Sequence, residues 1–150
     1  MGREKLQLVA EQDAGPITQV RSREARMATI LVIDDSPTVV AFARRHLTPH
    51  RVEWLSSFVA LPAQLRNDPP DLVILDLRMP AMAGVAVARF VQQHQLHATP
   101  IVVYSSEDAA TLAASAREIH AAAAVQKSAD PTELVQTVLG ILRGARVAAV

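Results

Sequence analysis

No cysteine occurs anywhere in the 150 residues, which excludes disulfides and thiolate-held metals and fits a reducing compartment. Neither charge sign is in excess. Fifteen Lys and Arg balance fifteen Asp and Glu, so no overall field draws the chain to nucleic acid or to an anionic membrane. No apolar run approaches the ~20 residues needed to span a bilayer, and the N-terminus lacks the apolar stretch of a signal peptide. Also missing are a repeat at solenoid period and a linker to a second domain. Half the residues are hydrophobic and a fifth are charged, a globular composition rather than a disordered one. These limits predict one soluble cytoplasmic domain with a sizeable core.

The first stretch, "MGREKLQLVAEQDAGPITQVRSREAR", mixes charge signs, contains Gly15-Pro16 and keeps no long period. It is read as a mobile extension over residues 1–27, ahead of a folded domain at 28–143 and a tail at 144–150. Within the domain, short apolar runs occur at Ile30 to Ile33, Leu72 to Leu75 and Ile101 to Tyr104, with weaker ones at Val52 to Leu55 and Ala122 to Val125. Runs that are apolar without alternation suit strands covered on both faces, as in a parallel sheet. Between them lie helical patterns. Ser36 can cap and Pro37 can open a helix through Leu47, and further helices are expected near 59–67, 84–95, 108–119 and 131–143. Pro62 fits the second of these only in its first turn. Five β-α units predict a doubly wound α/β fold.

Ligands of an open parallel sheet bind at the carboxyl ends of its strands. Strand one ends in Asp34-Asp35, strand three in Asp76, strand four in Ser105-Ser106, and Lys127 follows strand five. Asp34-Asp35 alone could be an acidic first helical turn. In register with Asp76 and Lys127, they read as a site. Three clustered carboxylates need a cation, and donors that are all hard oxygens select Mg²⁺. A metal with spare positions beside a lysine and a hydroxyl would receive a phosphoryl group. The five histidines form no ligand set: His94 and His97 end a helix, and Pro49 separates His46 from His50. The Ala-rich stretch "DAATLAASAREIHAAAA" is helix propensity with small side chains, and its lack of bulk permits close docking of a partner.

The segments "ILVIDD", "DLVILDLRMPAMAG", "PIVVYSS" and "VQKS", in order and spacing, resemble the signatures of response-regulator receiver domains over residues 28 to 143. The resemblance implies a flavodoxin-like (βα)5 fold with strand order 2-1-3-4-5. It makes Asp76 the phosphoacceptor, Asp35 a direct Mg²⁺ ligand, Asp34 an acid acting through metal-bound water, and the Arg78 backbone carbonyl a further ligand. Ser105 becomes the switch hydroxyl and Lys127 the partner of the phosphoryl oxygens. A histidine kinase or phosphotransfer protein would supply the phosphate in a two-component phosphorelay. Output would pass through helix four, strand five and helix five to a protein target, or through a homodimer formed on phosphorylation. A stand-alone signalling protein is implied, because few residues follow the fifth helix; it is not an enzyme beyond self-catalysed phosphoryl transfer and slow autodephosphorylation. Direct DNA binding is disfavoured by the neutral charge.

The chain departs from the family pattern on the relay side. Ser128 stands where a proline usually follows the lysine, so Lys127 is either aimed differently through a trans bond or held by a strained one. Ala124 replaces the switch aromatic, Ala83 replaces the acidic or amide residue before the turn glycine, and "WLSSFVAL" lacks the glycine usual after strand two. Tyr104 is expected to point away from Ser105, across the sheet. The alternative function is therefore a pseudo-receiver, a constitutive docking or dimerisation scaffold. A phosphohydrolase using Asp76 is disfavoured by the lack of a cap domain. Arg78 and Glu107, two positions after the acceptor and the switch hydroxyl, are expected to pair across the site mouth and slow hydrolysis of the acyl phosphate.

Overall fold

A computed structural model of the chain describes residues 27–79, 82–94, 99–128 and 130–148; the N-terminal extension lies outside them. The apolar runs become strands β1 (Thr29–Ile33), β2 (Arg51–Leu55), β3 (Leu72–Leu75), β4 (Ile101–Ser105) and β5 (Ala123–Gln126). They form one parallel sheet in the order β2-β1-β3-β4-β5. The order reverses between β1 and β3, which puts a crevice outside the carboxyl ends of those two strands.

Period-two alternation divides the core into two layers. Ile30 and Val32 of β1, Leu72 and Ile74 of β3, and Val102 and Tyr104 of β4 face one layer. There they pack on α1 (Pro37–His46) through Val40 and Ala43, and on α5 (Thr132–Ala148) through Leu134, Val138 and Leu142. Leu31, Ile33, Val73, Leu75, Ile101 and Val103 face the other. That layer is closed by α2 (Leu61–Asn67), α3 (Gly84–His94) and α4 (Ala109–Glu118). Side chains of β1, β3 and β4 are buried on both faces, which is why their sequences lack alternation. Tyr104 faces the layer of α1 and α5 with Val102, while its strand neighbour Val103 faces the other, as alternation requires.

Several local expectations change. Ser36 flanks α1 without a side-chain cap; instead its own backbone N–H donates to Asp34 Oδ1 at 2.8 Å. A 3-10 turn at Phe58–Ala60 precedes α2, so Pro62 falls in the first helical turn. Helix α5 runs on to Ala148, past the expected boundary at 143. Asp108 caps α4, accepting from Thr111 N–H at 2.9 Å and Thr111 Oγ1 at 2.7 Å, contacts that hold its carboxyl below the usual range. His50 is half-buried and its Nδ1 accepts from the Ala28 N–H at 3.0 Å, a structural role rather than a surface one.

Candidate functional site

Each strand end delivers its polar residue by continuing the strand's own alternation. Asp34, Asp76 and Lys127 lie two residues beyond Val32, Ile74 and Val125, all members of one core layer. Backbone bonds carry the register past the strand ends: Asp34 N–H to Leu55 O at 3.3 Å, Asp76 N–H to Ile33 O at 2.9 Å, and Lys127 N–H to Ser105 O at 2.8 Å.

The three side chains meet. Lys127 Nζ lies 2.9 Å from Asp34 Oδ2 and 3.4 Å from Asp76 Oδ2. Asp34 is fully buried and Asp76 is 4% exposed, whereas Asp35 is exposed. Asp34 Oδ2 is sealed from solvent with no aligned hydrogen bond, so the Lys127 contact is a bare ion pair. Asp76 Oδ1 accepts from the Arg78 N–H at 3.0 Å, which turns Asp76 Oδ2 towards the lysine. Carboxylate oxygens of Asp34, Asp35 and Asp76 fall within 4.8 Å of one another, close enough to share one ion. Three carboxylates against one ammonium leave two negative charges.

Burial pushes the Asp34 carboxyl up, and neither Lys127 nor the Ser36 N–H fully reverses it. Burial alone would lower the Lys127 ammonium, but its close contact with Asp34, then the charge of Asp76, outweigh it and raise it. Hard oxygens and a deficit of two charges fit a divalent cation such as Mg²⁺.

Two neighbours were not evident from the sequence. Tyr104, on the same sheet face as Lys127, places its ring centroid 5.6 Å from Nζ. Burial raises its hydroxyl pKa, so the ring that meets the ammonium is neutral. Trp54, on edge strand β2, donates its indole N–H to the Asp34 backbone carbonyl at 2.7 Å. A third feature is steric. Behind Asp76 the chain makes a two-residue antiparallel pairing, Arg78–Met79 with Met82–Ala83, and then enters α3 at Gly84. A Cβ on Gly84 would stand 2.7 Å from Leu77 Cα and 3.1 Å from Asp76 O, so only glycine lets α3 start this close to the acid.

Ser105 is fully buried, and its Oγ accepts from the Glu107 N–H at 3.4 Å, within its own loop. Among the described residues Arg78 and Glu107 form no ion pair. Arg78 is exposed, while Glu107 Oε2 is buried without a partner, so the expected pairing across the mouth is corrected. Among the described residues the cis peptide is Thr48–Pro49, so Lys127–Ser128 is trans and Lys127 reaches both acids without a proline behind it.

Residues 30–139 match the response regulator receiver domain family. The chain belongs to this family. The receiver is 28% identical over 123 residues to Protein PilH of Pseudomonas aeruginosa, covering 79% of this chain and 100% of PilH. It is 29% identical to the transcriptional activator protein IrlR of Burkholderia pseudomallei, covering 76% of this chain but 50% of IrlR. A LuxR-family two-component response regulator from Aurantimonas superposes with a TM-score of 0.67 at 30% identity, over 79% of this chain and 87% of that one. Vibrio cholerae chemotaxis protein CheY4 gives 0.68 at 25% identity, over 76% and 98%. The receiver thus has the flavodoxin-like fold of two-component signalling proteins.

Proposed function

We propose that this receiver is a phosphoacceptor whose Asp76 is phosphorylated in an Mg²⁺-dependent reaction and whose modified form controls a protein–protein contact. The observation carrying this reading is Lys127 bridging Asp34 and Asp76 in the acidic trio. Asp35, Asp76 and the Arg78 backbone carbonyl would hold the ion, with Asp34 acting through its water. When bound, Mg²⁺ neutralises the oxygens of the incoming phosphoryl group.

The chain's own residues do the rest. An Asp76 carboxylate oxygen attacks phosphorus in line; the new P–O bond forms as the P–N bond of a phosphohistidine breaks, and the leaving imidazole takes up a proton. The Arg78 N–H holds Asp76 Oδ1 and so presents Oδ2 for attack. Lys127, already 3.4 Å from that oxygen, moves its charge from the carboxylates to the transferred group. Ser105 turns from its loop to cover the same group, and Arg78 and Glu107 at the mouth tune access of water.

The donor in this reading is a histidine kinase or phosphotransfer protein in the cytoplasm. Among the described residues no helix is long and apolar enough to cross a membrane. The working unit is residues 28–143, the output surface is α4, β5 and α5, and neither DNA nor a membrane is contacted directly. The protein is not an enzyme in the ordinary sense. One feature favours the second reading, a scaffold that docks or dimerises without switching: Ala124 is exposed and offers no aromatic to rotate. Incubation with Mg²⁺ and acetyl phosphate, read by intact mass, separates the two. An adduct present in the parent and absent in Asp76→Ala supports the acceptor; Mg²⁺ binding with no adduct supports the scaffold.

A further inference from the structure

Asp35 has no side-chain hydrogen bond among the described residues, although it is the most exposed member of the acidic trio. Its position is therefore set by its backbone. The peptide plane joining Asp34 to Asp35 contains the Asp34 carbonyl, and that carbonyl is the one Trp54 Nε1 holds at 2.7 Å. On the other side of the Asp34 Cα, the N–H is held by Leu55 O, the next residue of the same edge strand. After Asp35, the Ser36 N–H is held by Asp34 Oδ1. Edge strand β2 thus grips the Asp34 backbone on both sides, once through the Leu55 carbonyl and once through the Trp54 indole.

We propose that Trp54 is a positioning residue for the metal site, its N–H fixing the Asp34–Asp35 peptide plane so that Asp35 is presented to the ion. The inference rests on the Mg²⁺-dependent reading above. It assigns a task to a residue on an edge strand that touches neither the ion nor the phosphoryl group. Trp54 is partly buried against the core layer of α1 and α5, so the grip is rigid rather than a surface contact.

Trp54 is the chain's single tryptophan, so replacement by a tryptophan analogue is site-specific. β-(3-Benzothienyl)alanine keeps the bicyclic shape and puts sulfur where the N–H was; 5-fluorotryptophan keeps the N–H. Mg²⁺ affinity is measured calorimetrically for parent and both proteins. Amide exchange at Asp35 and Ser36 is followed by NMR without metal, and thermal melts check the fold. The benzothienyl protein is expected to bind Mg²⁺ about three- to tenfold more weakly, the range one hydrogen bond commands, and to exchange faster at Asp35. The 5-fluorotryptophan protein is expected to match the parent on both measures. Equal Mg²⁺ affinity in the benzothienyl protein and the parent overturns the role of Trp54 alone. A parent that binds no Mg²⁺ overturns the metal reading together with this inference.

Discussion

The strand-end crevice and the face made by α4, β5 and α5 are built by opposite means. In the crevice the central groups are specified by one another: Lys127 lies between two buried acids, Asp76 is oriented by the Arg78 N–H, and Gly84 is required by contact with Leu77. On the α4–β5 side, Ala116, Arg117, His120, Ala121, Ala123 and Ala124 line an open hollow of about 390 Å³, and its four alanines bring no polar side-chain contact of their own. Chemistry needs groups held to fractions of an ångström, whereas a docking face needs only shape. The contrast teaches that one end of this sheet is fixed by charged and steric contacts while a neighbouring face is built from small residues.

The largest effect expected is in the crevice. Replacing Lys127 by Met should slow phosphorylation of Asp76 by acetyl phosphate about a hundredfold or more, because the ammonium that lies against Asp76 Oδ2 is gone. Adduct formation timed by intact mass checks this. A change below tenfold would mean the crevice is no more specified than the outer face.

Next comes the steric lock. Gly84→Ala should cost about 1–3 kcal/mol in urea unfolding, since a new Cβ meets backbone atoms that cannot rotate away. Gly140, with open space around its Cβ position, is the control: Gly140→Ala should be stabilising by about 1 kcal/mol in its helix.

A smaller effect tests the burial of Asp34. Asp34 binds its proton more tightly in the folded chain than in the unfolded one, so its contribution to metal-free stability is present at low pH. That contribution is lost as pH rises from the ordinary value of 3.8 through the raised folded value. At pH 7, Asp34→Asn should therefore raise the metal-free melting temperature by about 2–4 °C, and the gain should vanish at acid pH. Added Mg²⁺ should stabilise the parent more than the variant. A variant less stable than the parent at pH 7 would show that the Lys127 ion pair outweighs burial.

How legible all this was depended on whether a feature is local in sequence. The apolar runs marked the strands, so Asp34, Asp76 and Lys127 could be placed at or just after their ends. The grip of Trp54 on Asp34 joins an edge strand to β1 across 20 residues, and no local pattern marks it. Ser36 looked like a cap because its hydroxyl suits one, yet that hydroxyl makes no capping bond, and the Ser36 N–H instead donates to Asp34 Oδ1. The pairing of Arg78 with Glu107 was argued from matching offsets, which say nothing about whether two side chains point at each other. Ser128 looked damaging because proline was expected, but the trans bond after Lys127 still lets a four-carbon side chain reach both acids.

The smallest effect belongs to the outer face. Ala124→Phe should leave folding stability within about 0.5 kcal/mol of the parent and Asp76 phosphorylation within about twofold, because the side chain is exposed beside an open hollow. A large change in phosphorylation would join the two regions and end the contrast between them.

The central claim is that Asp76, and neither of its acidic neighbours, carries the phosphoryl group. Borohydride reduction of the protein after treatment with Mg²⁺ and acetyl phosphate converts an acyl phosphate to an alcohol, and peptide mapping locates it. The account predicts homoserine at position 76 and nowhere else, lost when Mg²⁺ is withheld. Homoserine at position 34 or 35, or none at any position while Mg²⁺ binds, would contradict it.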